Sequence, residues 1–212
     1  MSVTKQDAIH QYCLSKSSGI SETAQEIYQK TLDSTFNERL MVDMVGARFL
    51  GLISKSLSPK KILEIGTFSG FSAQILAEGL SEEGEIVSIE IDKEHYSFAK
   101  ANLEHSPESK KIQLILGDAL EVMENLEASF DLVFLDAAKR QYTKHYEMAL
   151  SKCHSGALII ADNSLWKNRV LLEDADNMTK GIQDFNEFVK NDNRVDNVLI
   201  PVGDGIHLIY KK

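Results

Sequence analysis

Acidic side chains follow two apolar segments of this sequence, at positions where they could bind a cation. Asp136 comes directly after Leu132–Leu135, and Asp162 with Asn163 follows Ala157–Ala161. Short apolar runs of this kind are typical of buried parallel strands, whose carboxyl ends lie at one edge of a sheet. We therefore expect Asp136, Asp162 and Asn163 to lie together. Two carboxylates and an amide oxygen favour a hard cation, Mg²⁺ or another divalent ion such as Mn²⁺ or Ca²⁺.

A lysine lies close to this predicted metal site. Lys139 follows Asp136 by three residues, and a cation nearby would disfavour its ammonium form. Asp136 and Lys139 are therefore the candidate catalytic residues, with Lys139 as general base. Taken alone, Lys139 is more typical of a solvated loop lysine. Arg140 and Tyr142 follow on the same segment and are candidates for contact with the tail of an acceptor, or for solvated loop positions.

A second group of candidate residues surrounds a glycine-rich turn. Ile62–Ile65 leads directly into Gly66-Thr67-Phe68-Ser69-Gly70, with Glu64 near the end of the apolar run. The spacing E-x-G-x-x-x-G differs from the G-x-G-x-x-G of dinucleotide sites. Because Glu64 would repel a pyrophosphate, a ligand that carries an ammonium group and a sulfonium suits this turn better.

Two further acids end the next apolar runs. Glu90 lies in Glu85–Ile91, and its two carboxylate oxygens can accept both hydroxyls of a ribose. Asp118, between Gly117 and Ala119, is placed to border an adenine ring. Glycines alone would indicate only a tight turn, but three acids at the ends of successive runs predict a nucleoside site.

The elements that must position these residues alternate along the chain. The apolar runs are Lys61–Ile65, Glu85–Ile91, Ile112–Leu116, Leu132–Leu135, Ala157–Ala161, Val198–Val202 and Ile206–Tyr210, and the helical patterns are Phe71–Leu80, Lys93–Glu104, Ala119–Leu126, Tyr142–Ser151 and Ile182–Lys190. This alternation predicts an α/β fold with a mostly parallel sheet and helices on both faces. Only Gly203-Asp204-Gly205 separates the last two runs, so we expect an antiparallel hairpin and an antiparallel last strand.

Apolar residues recur at helical spacing up to residue 58, where Ser58-Pro59 predicts the end of a helix. We expect a single domain over residues 1–212, with a helical cap at 1–58 and an α/β core at 59–212.

Composition limits the function classes. The chain has 212 residues, 43% of them apolar, and a net charge of −9, which disfavours nucleic acid and anionic membranes as partners. Residues 1–10 contain no apolar signal segment, and no window approaches the ~20 apolar residues of a membrane span. We therefore expect a cytoplasmic protein.

Four segments together resemble a known family. These are Leu63–Ser72, Phe130–Lys139, Ile160–Trp166 and Pro201–Ile206. The sequence is similar, in register from about Phe36 onward, to the cation-dependent class I O-methyltransferases, which include catechol and caffeoyl-CoA O-methyltransferases and bacterial relatives. The resemblance implies methyl transfer from S-adenosylmethionine to a hydroxyl of a small aromatic diol, catechol-like or hydroxycinnamoyl-type. It also implies a Rossmann-like seven-stranded sheet with an antiparallel last strand, and a homodimer.

The resemblance also assigns roles to residues. It implies a metal at Asp136, Asp162 and Asn163, and a catalytic lysine at Lys139. For S-adenosylmethionine it points to the backbone around Val42 and to Glu64, Gly66, Thr67, Ser72, Glu90, Ala119 and Asp136. Two positions depart from the plant caffeoyl-CoA enzymes, which have Asp in place of Ala138 and a small polar residue in place of Lys167. Both departures lie near the predicted acceptor site.

Two alternatives of other kinds remain open at this point. An NAD-dependent dehydrogenase uses a similar sheet, but the missing third glycine and Glu64 disfavour it. A non-catalytic S-adenosylmethionine-binding protein would have no need of the metal and lysine positions.

Overall fold

The computed structural model describes residues 5–127 and 129–212 and consists of helices around one sheet. The strands are β1 Lys61–Ile65, β2 Glu85–Glu90, β3 Ile112–Leu116, β4 Phe130–Leu135, β5 Cys153–Ala161, β6 Val195–Ile200 and β7 Ile206–Lys211. The helices are α1 Lys5–Ser15, α2 Glu22–Leu32, α3 Met44–Leu57, α4 Phe71–Ala77, α5 Lys93–Leu103, α6 Ala119–Glu124, α7 Tyr142–Ser151 and α8 Asn177–Lys190. Short 3-10 helices lie at Glu38–Leu40, Ser109–Lys111, Lys139–Gln141 and Arg169–Leu171.

The seven strands form one sheet in the order β3-β2-β1-β4-β5-β7-β6. β1 pairs in parallel with β2 and β4, and β4 pairs in parallel with β5. β7 is antiparallel to both of its neighbours, β5 and β6. The predicted seven-stranded α/β sheet with an antiparallel last strand is therefore confirmed.

Successive side chains of a strand point to opposite faces of the sheet, so alternate residues pack into two separate cores. Leu63, Val133 and Ile159 pack with residues of α6, α7 and α8 on one face. Ile62 and Leu132, their neighbours in sequence, pack with residues of α2, α3, α4 and α5 on the other face. The helices therefore cover both faces, as the sequence predicts, and the carboxyl ends of β1 to β5 meet along one edge.

The N-terminal helices belong to the second of these cores. Ile27 of α2 and Leu50 of α3 are 1% and 0% exposed and lie in the same cluster as Ile62 of β1. α3 begins at its N-cap Asp43, which accepts hydrogen bonds from two amides of the first turn, and it ends at Ser58 in a left-handed conformation. The predicted end of the helical part at Ser58-Pro59 is confirmed. Residues 1–4 of the predicted cap lie outside the described residues.

The sixth strand differs from its predicted position. The apolar run Val198–Val202 predicts a strand there, but β6 spans Val195–Ile200. Pro201 has no amide proton for the ladder, and the last β6–β7 pair is Ile200 with Ile206. Within residues 5–127 and 129–212, no helix has the length and apolar character that crossing a membrane requires.

Candidate active site

The glycine-rich turn after β1 packs directly against the end of β4. Gly66 has a φ of +100°, and a Cβ atom there would lie 2.0 Å from the carbonyl oxygen of Asp136. The amide of Asp136 in turn donates to the carbonyl of Ile65 at 2.9 Å. A glycine is therefore required at position 66, because it brings the turn and Asp136 together without a clash.

Glu64 is a fully buried carboxyl group beside this turn. It lies opposite Ser88 in the β1–β2 register, and the Ser88 hydroxyl donates to its Oε2. Its other oxygen, Oε1, is buried without a hydrogen-bond partner. Burial, with a smaller effect of the charges on Asp136 and Glu90, raises the pKa of Glu64 from 4.5 to about 8. An acceptor oxygen that is buried and unpaired is suited to a donor on a ligand.

Glu90, at the end of β2, lies against the same turn. Its Oε2 accepts from the amides of Thr67 and Phe68 at 3.2 and 2.8 Å, and its Oε1 accepts from the amide of Asp92 at 2.9 Å. The Thr67 hydroxyl lies 2.5 Å from that of Ser88. Glu90 therefore holds the shape of the turn, and its predicted binding of ribose hydroxyls stays a prediction.

The other residues predicted to bind the nucleoside occupy the same edge of the sheet. Ser72 is buried in the first turn of α4, and Ala119 is the first residue of α6. Asp118 is the N-cap of α6, and its Oδ1 accepts from the amide of Leu120 at 2.8 Å. Val42 is 6% exposed and packs in the core just before α3. Since β3, β2, β1 and β4 are neighbours, Asp118, Glu90, Glu64 and Asp136 follow one another along this edge.

The predicted carboxylate pair meets at the ends of β4 and β5. The amide of Asp162 donates to the carbonyl of Leu135 at 3.0 Å, which places Asp162 beside Asp136. Asp162 is 5% exposed. Burial, followed by the charge on Asp136, raises the pKa of Asp162 to about 7. Asn163 follows in a left-handed conformation with a φ of 52°.

Negative charge is in excess at this place, which fits a cation. Two acids that the sequence analysis did not single out lie close by. The charge on Asp43 contributes to the raised pKa of Asp162, and burial, with a smaller effect of the charge on Asp136, raises the pKa of Asp204. No group of three or more His, Cys, Asp and Glu side chains in residues 5–127 and 129–212 could by itself hold a metal ion. The predicted set contains only two such side chains and one amide.

The loop between β6 and β7 carries Asp204 and contacts Asp43, the N-cap of α3. A Cβ atom at Gly203 would lie 2.1 Å from Oδ2 of Asp43, so the loop touches the start of α3. Asp204 accepts a hydrogen bond from the amide of Lys167, and its carbonyl accepts from the amide of Leu165 at 2.9 Å. In the sequence, Gly203-Asp204-Gly205 indicates a turn, but it does not show that the Asp204 side chain points toward the carboxylate pair.

Lys139 points at the carboxylate pair. Its Nζ lies 2.6 Å from Oδ1 of Asp136 and 2.6 Å from the hydroxyl of Tyr142, and its side chain is only 10% exposed. The prediction that Lys139 lies beside Asp136 at this edge is confirmed by the geometry.

Tyr142 lies in the protein interior, so the alternatives of a contact with the acceptor tail or of a solvated loop position were wrong. The residue is 0% exposed. Its hydroxyl is 2.9 Å from the carbonyl of Asp162 and 3.2 Å from that of Leu135. Burial, followed by the charges on Asp136, Asp162 and Asp204, raises the pKa of Tyr142 well above 10, so the phenol keeps its proton.

Known proteins resemble this chain over almost its full length. A model of the O-methyltransferase family matches residues 14–212. Caffeoyl-CoA O-methyltransferase 1 of Zea mays is 34% identical over 223 residues, covering 98% of this chain and 86% of the maize protein. The O-methyltransferase from Bacillus cereus in complex with SAH has a TM-score of 0.89 and 27% identity, covering 97% of both chains. The O-methyltransferase TomG from Streptomyces achromogenes, in complex with SAM, has a TM-score of 0.88 and 26% identity, covering 97% of this chain and 96% of that chain.

These similarities contradict both alternatives, the NAD-dependent dehydrogenase and the non-catalytic binding protein. They agree with the buried acceptor of Glu64 and with the absence of a dinucleotide glycine pattern in the turn. The chain belongs to the O-methyltransferase family, and it is an S-adenosylmethionine-dependent O-methyltransferase.

Proposed function

We propose that this O-methyltransferase depends on a divalent cation, Mg²⁺ or a similar ion, and methylates one hydroxyl of a small aromatic diol. The observation that carries the proposal is the pair of carboxylates at adjacent strand ends: Asp162 is buried, the side chain of Asp136 is 18% exposed, and Asn163 follows Asp162. Lys139 supplies one positive charge beside Asp136, and a cation would balance the second carboxylate, which burial otherwise destabilises. We further propose that the enzyme acts in the cytoplasm as a homodimer.

The donor set supports a hard cation. Asp136 and Asp162 would supply carboxylate oxygens and Asn163 an amide oxygen, the ligand types that Mg²⁺ prefers. With three protein ligands, coordination positions remain for water and for the two oxygens of a diol. When bound, a divalent cation supplies a positive charge that lowers the pKa of a nearby hydroxyl group.

The nucleoside part of the proposal relies on Glu64 and Glu90. The unpaired Oε1 of Glu64 would accept from the ammonium group of S-adenosylmethionine. Glu90, at the next strand end, would accept from the ribose hydroxyls. Asp118 and Ala119 at the end of β3 would border the adenine ring, and Thr67, Ser72 and the backbone around Val42 would complete the site.

This chain contributes orientation and proton transfer to the reaction. Lys139, beside Asp136, takes or shields the proton of the acceptor hydroxyl. The acceptor oxygen then bonds to the methyl carbon, while the carbon–sulfur bond breaks and its electron pair stays on sulfur. The products are the methyl ether and S-adenosylhomocysteine. Asp136, Asp162 and Asn163 fix the acceptor on the side of the sheet edge where the methyl group arrives, which reduces the entropic cost of the encounter.

The names of two relatives support the proposed class of acceptor. The maize relative is named for caffeoyl-CoA, and a 32% identical rice relative is named tricin synthase 1. A cation with free coordination positions could bind any acceptor that has two adjacent hydroxyl groups. Ala138 and Lys167 differ from the plant enzymes at the acceptor side, so we propose the diol class and leave the rest of the acceptor open.

The test is methyl transfer from labelled S-adenosylmethionine to caffeic acid, caffeoyl-CoA and simple catechols, with Mg²⁺ and with excess EDTA. We expect product on at least one diol, and a loss of about 100-fold or more in EDTA or in Asp136→Ala and Asp162→Asn, because the ligands of a catalytic cation are removed.

The matched control for these variants is Asp131→Asn. Asp131 lies at the opposite end of β4 from Asp136, where it accepts from the amides of Lys60 and Lys61 at 2.8 and 2.7 Å. Its substitution should leave the metal response unchanged. Full activity in EDTA would contradict the cation, and binding of S-adenosylmethionine without transfer to any diol would contradict the acceptor class.

A further inference from the structure

A buried tyrosine connects the candidate base to both strands of the carboxylate pair. Tyr142 is the first residue of α7 and follows the 3-10 turn Lys139–Gln141. Its ring packs edge-on against Phe185 of α8 with centroids 5.3 Å apart. Its hydroxyl is the group that reaches Lys139, at 2.6 Å from Nζ.

The hydroxyl of Tyr142 both donates and accepts a hydrogen bond. The phenol has one proton, which it donates to the carbonyl of Asp162 or Leu135, at 2.9 and 3.2 Å. Its oxygen is then free to accept from the amine of Lys139. The Tyr142 oxygen therefore joins the end of β4, the end of β5 and Lys139 in one small network.

A second tyrosine on the same helix shows what a merely structural role looks like. Tyr146 is also 0% exposed, lies one turn further along α7, and donates to Oδ2 of Asp192 at 2.8 Å. Its ring packs against the same Phe185. The two residues thus share packing and burial, and they differ in that the Tyr142 hydroxyl also holds the amine of Lys139.

We propose that Tyr142 is a positioning residue, which holds the amine of Lys139 beside Asp136 so that it faces the acceptor hydroxyl. Lys139 has four rotatable side-chain bonds, and two short contacts, to Asp136 and to Tyr142, select one arrangement. Asp136 would have to share its carboxylate between the lysine and a bound cation, whereas the Tyr142 oxygen would serve the lysine alone. The Tyr142 oxygen remains as the fixed acceptor. This role in catalysis rests on the proposed function of Lys139 as base.

The experiment compares Tyr142→Phe with the matched control Tyr146→Phe. Each change removes one buried oxygen and keeps the ring. The first measurement is the rate at which an amine-reactive ester acylates each lysine, read by mass spectrometry. In Tyr142→Phe the rate at Lys139 should rise about threefold or more relative to the other lysines, because a restraint that orders the side chain is lost. In Tyr146→Phe it should be unchanged.

The second measurement separates positioning from stability. In Tyr142→Phe we expect kcat to fall about tenfold, as for loss of a hydrogen bond to a charged group, while the Kd for S-adenosylmethionine changes less than about twofold. In a Lys139→Met background the same change should have almost no further effect on kcat. Thermal unfolding of each variant reports its effect on the fold.

The outcomes distinguish the two proposals. An unchanged acylation rate at Lys139, or equal losses of kcat with and without Lys139, would overturn the role of Tyr142. A wild-type enzyme without transfer to any diol would contradict the proposed function instead, and the acylation rates would still decide whether Tyr142 holds Lys139.

Discussion

The Glu64 carboxyl group combines complete burial with an unpaired oxygen, a costly arrangement for the protein without ligand. Its pKa is raised from 4.5 to about 8, chiefly by burial. The folded protein therefore keeps a proton on Glu64 that the unfolded chain releases above its own lower pKa. The stability that the neutral carboxyl provides is complete below about pH 4.5 and is lost as the pH rises toward 8.

We predict that the free energy of unfolding of the ligand-free protein decreases by about 1–2 kcal/mol between pH 6 and pH 8, because Glu64 loses its proton over this range. The release of one proton can change this free energy by at most about 1.4 kcal/mol per pH unit. Denaturant unfolding at the two pH values measures it. Glu64→Gln, which cannot ionise, should lose this part of the pH dependence. An identical slope in the variant would show that Glu64 is ionised in the folded state.

The residues of the candidate site differ in whether the sequence alone could identify them. Glu64, Asp136, Asp162 and Lys139 were identified because charged residues at the ends of apolar runs are conspicuous. The proposed role of Tyr142 was missed, since a tyrosine among polar residues at the start of a helix carries no sign of burial. Its environment is created by Phe185 of α8, about forty residues later in the chain, and only the folded structure brings them together.

At the scale of elements, the loop that carries Lys139 is supported by α8. Gly181 lies in the interior of this helix, and a Cβ atom there would be 2.7 Å from the carbonyl oxygen of Lys139 and 3.2 Å from Cα of Arg140. Helix and loop therefore touch through their backbones. Neither side has a flexible side chain that could yield.

We predict that Gly181→Ala lowers both the melting temperature and kcat, because the added methyl group must displace the Lys139 segment. Helix propensity alone predicts the opposite, a gain of about 0.5–1 kcal/mol, which makes the sign of the effect informative. Gly19→Ala is the control, since a Cβ at Gly19 would meet nothing within 4 Å. A more stable Gly181→Ala with full activity would show that the loop adapts.

The helices and strands could be predicted where a local sequence pattern, such as an apolar run or a proline, determines the element. Strands β1 to β5 follow apolar runs, and Ser58-Pro59 marks the end of α3. β6 begins three residues and ends two residues before its predicted position, because Val198–Val202 is the more apolar stretch, while Val195, which is 3% exposed, is flanked by polar residues. Here the pairing with β7 determines the strand, and sequence patterns do not encode such pairing.

At the scale of the whole molecule, the N-terminal helices are part of the core that covers the sheet. Ala24, Ile27, Ala47 and Leu50 of α2 and α3 are each at most 1% exposed and pack with β1 and α4. The sequence analysis separated a cap at 1–58 from a core at 59–212. The packing of α2 and α3 makes that core dependent on the cap.

We predict that a chain of residues 59–212 does not fold, because removing α2 and α3 exposes the apolar residues of α4 and of the sheet that pack against them. Loss of near-ultraviolet circular dichroism and of a cooperative thermal transition would show it. A chain that begins at Ile20 keeps α2 and α3 and should retain a cooperative transition. A cooperatively folded 59–212 chain would mean that the sheet tolerates the exposed face.

The position of β7 between β5 and β6 has a consequence for how the molecule is made. A ribosome delivers β6 before β7, so β6 leaves the exit tunnel without a strand to pair with, and β5 keeps an open edge until Ile206–Lys211 arrives. The loop that carries Asp204 is synthesised in the same interval. The nascent chain can therefore complete neither its sheet nor the edge beside Asp204 one strand at a time, and both close together once β7 has left the ribosome.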